Sequence, residues 1–153
     1  MKILDMLDKR SILPNILSRT KEGVLREMVH SLAQVEKQVH EERLMEILLE
    51  RESLGSTGIG EGVAIPHGRS KEVNKMLASF GRSLRGIDFQ SLDGKPTHLF
   101  FLIIAPENPA GMHLKALAKI SRWMKDSAFR QRLMEARSAE EIHAVFCDEE
   151  KNF

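Results

Sequence analysis

Apolar residues along this chain recur at two different intervals, and the change of interval marks out its elements. After Thr20, the positions Val24, Met28, Leu32 and Val35 repeat every three or four residues, which predicts an amphipathic helix with Thr20 as its N-cap. Leu44, Ile47, Leu48 and Arg51 recur on one side of a second helix, which ends where Gly55 opens a glycine-rich loop. Residues 63–65 form only a short strand in this reading, because Pro66 has no N–H to extend a ladder, and His67 falls just past its end. A strand over 76–84 and a turn at Leu92-Asp93-Gly94-Lys95 lead into the run HLFFLIIA, residues 98–105. Continuous apolarity there predicts a strand buried on both faces, so helices must cover both sides of the sheet and the fold class is α/β.

Beyond that strand, Pro106, Asn108, Pro109 and Gly111 predict a loop, and helical spacing resumes over 112–125 with His113 in the first turn. Asp126 is placed to cap a short helix, and Ser138 with Glu141 forms a capping box for the last one. No repeat or linker interrupts the chain, so residues 1–153 are expected to form a single domain, and 42% apolar content supplies its core.

Charge narrows the function classes. Lysine and arginine number 23 against 22 acidic residues, and no basic block stands out, which argues against nucleic acid as the main partner. Cys147 is the sole cysteine, so no intramolecular disulfide and no cysteine zinc cluster can form, and a reducing, cytoplasmic setting is expected. Asp5 and Asp8 break the apolar residues of the N-terminus, and the longest apolar run, residues 99–105, is too short to cross a bilayer. Neither secretion nor membrane insertion is therefore expected.

The chemistry concentrates in GSTGIGEGVAIPHG, residues 55–68. A Walker loop needs Gly-Lys followed by Ser or Thr, whereas Gly62-Val63-Ala64 offers no lysine. A dinucleotide fingerprint needs a strand before the glycines and a helix after them, the reverse of the order here. What remains is a loop with the hydroxyls of Ser56 and Thr57, freed backbone amides and an imidazole at its exit. Such donors suit a transient oxyanion, which a phosphoryl group on His67 would be. The two hydroxyls have equal claims to phosphoryl contact and to turn stabilisation.

Glu52, Ile59, Gly60, Val63, Ala64, Ile65, Pro66, His67 and Gly68 together resemble the signature of the type-2 IIA domains of the bacterial phosphotransferase system (PTS). This is the fructose, mannitol and nitrogen-regulatory branch. The resemblance continues through the His98 strand and the His113 helix to the C-terminal LMEARSAEEIHAVF, and is nearest to the free-standing nitrogen-regulatory IIA proteins. It implies a mixed β-sheet flanked by helices on both faces, working as a cytoplasmic phosphocarrier without metal or cofactor. An HPr- or NPr-type phosphohistidine donor would hand its phosphoryl group to His67. A IIB domain or a regulatory protein would be the next partner. The resemblance also assigns the second active-site histidine to His113, the active-site arginine to Arg51, and phosphorylation to the Nε2 nitrogen.

Imidazole suits this relay because it is nucleophilic when neutral, and one ring nitrogen must keep its proton on a nearby acceptor while the other attacks. Of the other histidines, His30, His40 and His143 are expected at the surface and His98 as a packing residue. A metal-dependent hydrolase built on His67, His113 and His98 is the weaker alternative, since no closely spaced ligand pair supports it.

Overall fold

The computed structural model describes residues 2–107 and 111–152, so Asn108 and Pro109 of the expected loop lie outside the described residues. After a short 3₁₀ turn at Ile3–Asp5 come β1 (Leu7–Leu13), α1 (Lys21–Val35), α2 (Glu41–Ser53), β2 (Gly58–Gly60), β3 (Val63–Ala64) and β4 (His67–Ser70). The rest of the chain forms β5 (Leu77–Ile87), β6 (Thr97–Pro106), α3 (Met112–Lys125), α4 (Ser127–Glu135) and α5 (Ala139–Lys151). The strands make one mixed sheet in the order β1-β5-β6-β3-β2, with β4 also paired to β6.

The apolar run is the sheet's central strand, and its alternation divides the core in two. Leu99, Phe101, Ile103 and Ala105 pack with the apolar faces of α3, α4 and α5. Phe100, Leu102 and Ile104 face the opposite way and pack with α1 and α2. Helices therefore cover both faces, because β6 has no polar side to give to water. On the first face Phe146 anchors an aromatic cluster, its ring centroid 5.3 Å from Phe80 and 5.7 Å from both Phe101 and Phe129.

The helix starts follow local chemistry. Thr20, Asp126 and Ser138 each accept a hydrogen bond from a backbone N–H of the first turn that follows, at Gly23, Ala128 and Glu141 respectively. The capping box at Ser138 is only half made: the Glu141 carboxylate reaches past the cap to accept from the Arg137 N–H at 3.0 Å.

Three strands depart from the periodicity reading. β1 was not expected at all; its ladder with β5 is irregular between Leu7 and Ile12, which breaks the alternation that would have revealed it. β2 lies inside the glycine loop and pairs antiparallel with β3. His67 is not past a strand end but begins β4, parallel to β6 in the register His67↔Ile103. Pro66 lacks a donor yet keeps its carbonyl, which accepts from the Ile103 N–H at 3.0 Å, so pairing along β6 resumes directly after the proline.

Candidate functional site

His67 stands half-buried at the start of β4, and the hydrogen bond of its ring fixes its chemistry. Nδ1 lies 2.8 Å from the Ile65 carbonyl oxygen. A carbonyl can only accept, so Nδ1 carries the proton and Nε2 presents a free lone pair. Burial holds the imidazole below the ordinary histidine value of 6.5; the hydrogen bond to Ile65 opposes this, the Arg51 charge reinforces it, and Glu52 opposes it weakly. The ring is thus kept neutral, as a nucleophile requires.

Three elements converge on this ring to form a cavity of about 340 Å³. The last turns of α2 contribute Ile47, Glu50 and Arg51, followed by Leu54; β4 contributes His67, Gly68 and Arg69; α3 contributes His113. Their convergence depends on Gly68, where a Cβ would lie 2.7 Å from Cγ2 of Ile47, closer than van der Waals contact allows. Glycine at this position lets α2 lie directly against β4 and brings Arg51 alongside His67. Nη1 of Arg51 donates to the Gly55 carbonyl at 2.9 Å, which steadies the guanidinium over the loop and leaves its other donors to the cavity. His113, in the first turn of α3, is held below the ordinary value by burial, then by the Arg69 charge and the His67 ring. The structure therefore brings together His67, Arg51 and His113, the three residues to which the family resemblance implies active-site roles.

It does not bring Ser56 and Thr57 into the cavity. The Ser56 hydroxyl donates to the Phe89 carbonyl at 2.8 Å and accepts from the Gly58 N–H at 3.0 Å. Thr57 is buried; its hydroxyl donates to one oxygen of Glu52, and its N–H donates to the other at 3.1 Å. The Glu52 carboxylate, also buried, completes the group with an ion pair to Lys21 at 2.8 Å, and the Lys21 ammonium lies 4.7 Å from the centre of the Phe89 ring. Both hydroxyls thus secure the turn from α2 to β2, which corrects their proposed phosphoryl contact: their hydrogen-bonding capacity serves the loop itself.

Sequence reasoning missed Arg69. The period of two along a strand places Arg69 beside His67, but HGRS carries no apolar alternation, so nothing announced a strand there. His98 lies toward the opposite end of β6, its Nδ1 donating to the Ser83 carbonyl at 2.9 Å, so it packs as expected and does not join His67. His30 and His40 are exposed beside Glu41 and Glu72, whereas His143 is half-buried on α5 next to Cys147. Among the described residues no group of three or more His, Cys, Asp or Glu side chains is placed to hold a metal ion, and no helix is long and apolar enough to cross a membrane.

The family model "Phosphoenolpyruvate-dependent sugar phosphotransferase system, EIIA 2" matches residues 5–148. A nitrogen regulatory protein of Bradyrhizobium diazoefficiens is 41% identical over 145 residues, covering 95% of this chain and 94% of that protein. The fructose-specific EIIABC component of Bacillus subtilis is 42% identical over 151 residues, which span 99% of this chain but 24% of that longer protein. Among solved structures, the nitrogen regulatory protein IIA-Ntr of Neisseria meningitidis superposes with a TM-score of 0.86 at 34% identity, covering 93% of this chain and 97% of that one. The chain belongs to the type-2 EIIA family of the phosphoenolpyruvate-dependent sugar phosphotransferase system.

Proposed function

We propose that His67 accepts a phosphoryl group on Nε2 from the phosphohistidine of an HPr- or NPr-type donor. In this reading the chain serves the nitrogen-regulatory branch of the system, in the cytoplasm and as a single domain. The observation that carries it is the bond from His67 Nδ1 to the Ile65 carbonyl, which leaves a neutral ring with one open nitrogen beside Arg51 and His113. Phosphoryl transfer asks little of a protein beyond alignment and charge stabilisation. Arg51 supplies charge, and His113 supplies a second imidazole at the rim. Leu54, exposed on the cavity's lining, and Met112, exposed directly before His113 in sequence, offer apolar contact to a docking protein. Transfer to a partner needs this open rim.

The regulatory role draws on the likeness to nitrogen regulatory proteins along nearly their whole length. A protein target would read the state of His67 from the roughly −1.5 to −2 charge that phosphorylation brings. A second reading, sugar uptake with a separate IIB partner, is favoured by the 42% identity to the fructose-specific component.

Incubation with phosphoenolpyruvate, Enzyme I and an HPr-type carrier should label the protein with an acid-labile, base-stable phosphate. His67→Ala should abolish that label. A His67→Ala protein labelled as strongly as the wild type would sink the assignment. Pull-downs with His67→Asp and His67→Ala then separate the two roles: a regulatory target discriminates between them, and a IIB partner takes radioactive phosphate from the labelled wild type.

A further inference from the structure

The cavity at His67 contains a second guanidinium, beyond the signature that ends at Gly68. Arg69 stands two residues after His67 on β4, so their side chains leave the same face of the strand, and both line the cavity. Arg69 is exposed and its side chain makes no hydrogen bond or ion pair among the described residues, although Glu50 lies on the same rim. Arg10, Arg26, Arg43 and Arg132 each pair with a carboxylate; the side chains of Arg19, Arg85 and Arg137, like that of Arg69, have no such partner among the described residues, but of these four Arg69 alone lines this cavity. An unpaired cation opening on a cavity that contains a nucleophile is available to an anion.

The two guanidiniums act on different parts of the site. Arg51 acts on His67, while the Arg69 charge is the leading influence on His113 after burial. Nδ1 of His113 is buried and has no hydrogen-bond partner among the described residues. With no acceptor for an Nδ1 proton among the described residues, the neutral form with its proton on Nε2 is the less costly one. That makes His113 a donor beside Arg69.

We infer that Arg69 is a second phosphoryl-binding residue, taking with His113 the phosphoryl oxygens that Arg51 does not reach. The inference rests on the reading of His67 as the phosphoacceptor. In the transfer, the Nε2 lone pair of His67 forms a new N–P bond as the donor's N–P bond breaks, and the released electron pair returns to the donor's imidazole. No proton changes hands, because Nδ1–H of His67 stays on the Ile65 carbonyl. The incoming group carries roughly −1.5 to −2 charge, more than one guanidinium neutralises. A second guanidinium therefore favours the phosphorylated state of this protein over that of its donor. The planar fork of arginine suits two phosphoryl oxygens, where lysine would supply a point charge alone.

The test is the equilibrium distribution of phosphate between an HPr-type carrier and the full-length protein, compared for wild type, Arg69→Gln, Arg69→Lys and Arg85→Gln. Arg69→Gln should move the distribution about tenfold toward the donor, the lower end of what a charged hydrogen bond commands because the site is open to solvent. Arg69→Lys should recover part of that shift, and Arg85→Gln, a change of exposed charge outside the cavity, should leave it unmoved. Equal distributions for wild type and Arg69→Gln would overturn the inference while leaving His67 as the acceptor. So would an unmoved equilibrium reached more slowly, which would assign Arg69 to donor docking. An equal shift in Arg85→Gln would reduce the effect to net charge. A wild type that takes no phosphate would remove the reading of His67 and this inference together.

Discussion

Two polar clusters meet at the glycine-rich loop and differ in how completely their groups are paired. At Glu52 both carboxylate oxygens are occupied, by Lys21 and by the N–H and hydroxyl of Thr57, and the group is closed to solvent. In the neighbouring cavity, Nε2 of His67 is open and the Arg69 side chain has no partner among the described residues. The first cluster holds the loop in place. The second keeps a nucleophilic nitrogen and a guanidinium unpaired, which an incoming anion can engage. A buried polar group with every bond made is expected to be structural, and a convergent set with bonds to spare marks the working surface.

Breaking the closed cluster should give the largest effect. Glu52→Ala leaves the Thr57 hydroxyl without its acceptor and the Lys21 ammonium with only the Gln90 amide oxygen at 3.2 Å, and should cost about 3 kcal/mol in urea-induced unfolding. Glu52→Gln, which keeps an acceptor for Thr57, should cost less. If the two variants unfold like the wild type, Glu52 is not what fixes the loop.

A smaller loss tests the join between the clusters. Gly68→Ala forces a methyl group against Ile47, and should cost about 1 to 2 kcal/mol by overpacking. In an Ile47→Ala background, which lacks Cγ2, the same Gly68→Ala change should cost less, because the atom it meets is gone. Additive losses in this double-mutant cycle would show that the two residues do not interact across α2 and β4.

The smallest effect is that of pH, acting on the open cluster and on His143 of α5. His67, His113 and His143 are all held below the ordinary 6.5, burial being the first cause for each. Where the unfolded chain binds more protons than the native one, stability falls as pH falls. Stability from these groups should therefore be complete above about pH 6.5 and decline as pH drops through their native values. Replacing His67 with Gln should flatten part of that decline in thermal melts recorded from pH 7.5 to 5. A slope that His67→Gln leaves unchanged would place the titration on the other histidines.

The legibility of these features varied with the kind of signal that carried them. Residues 98–105 announced a central strand because strong apolarity survives any local irregularity, and α3 was legible to its ends. His67, Arg51 and His113 came from a sequence signature and a family resemblance, and the structure gathers all three around one cavity. Ser56 and Thr57 were drawn toward phosphate because composition lists hydroxyls without their partners. Those partners, Phe89 and Glu52, emerge only on folding. β1 and β4 were missed for a related reason: neither has a clean alternation, and each exists because a neighbouring strand offers an edge.

The sequence by itself determined the helix caps and the doubly covered central strand and singled out His67 as the proposed phosphoacceptor, since these follow from side-chain periodicity and motif within a few turns of chain. Only the tertiary structure decided which nitrogen of that histidine is free, that Glu52 is spent on the loop, and that Arg69 faces the same cavity. Hydrogen-bond partners and long-range electrostatic neighbours are properties of distance in space, and separation along the chain does not encode them.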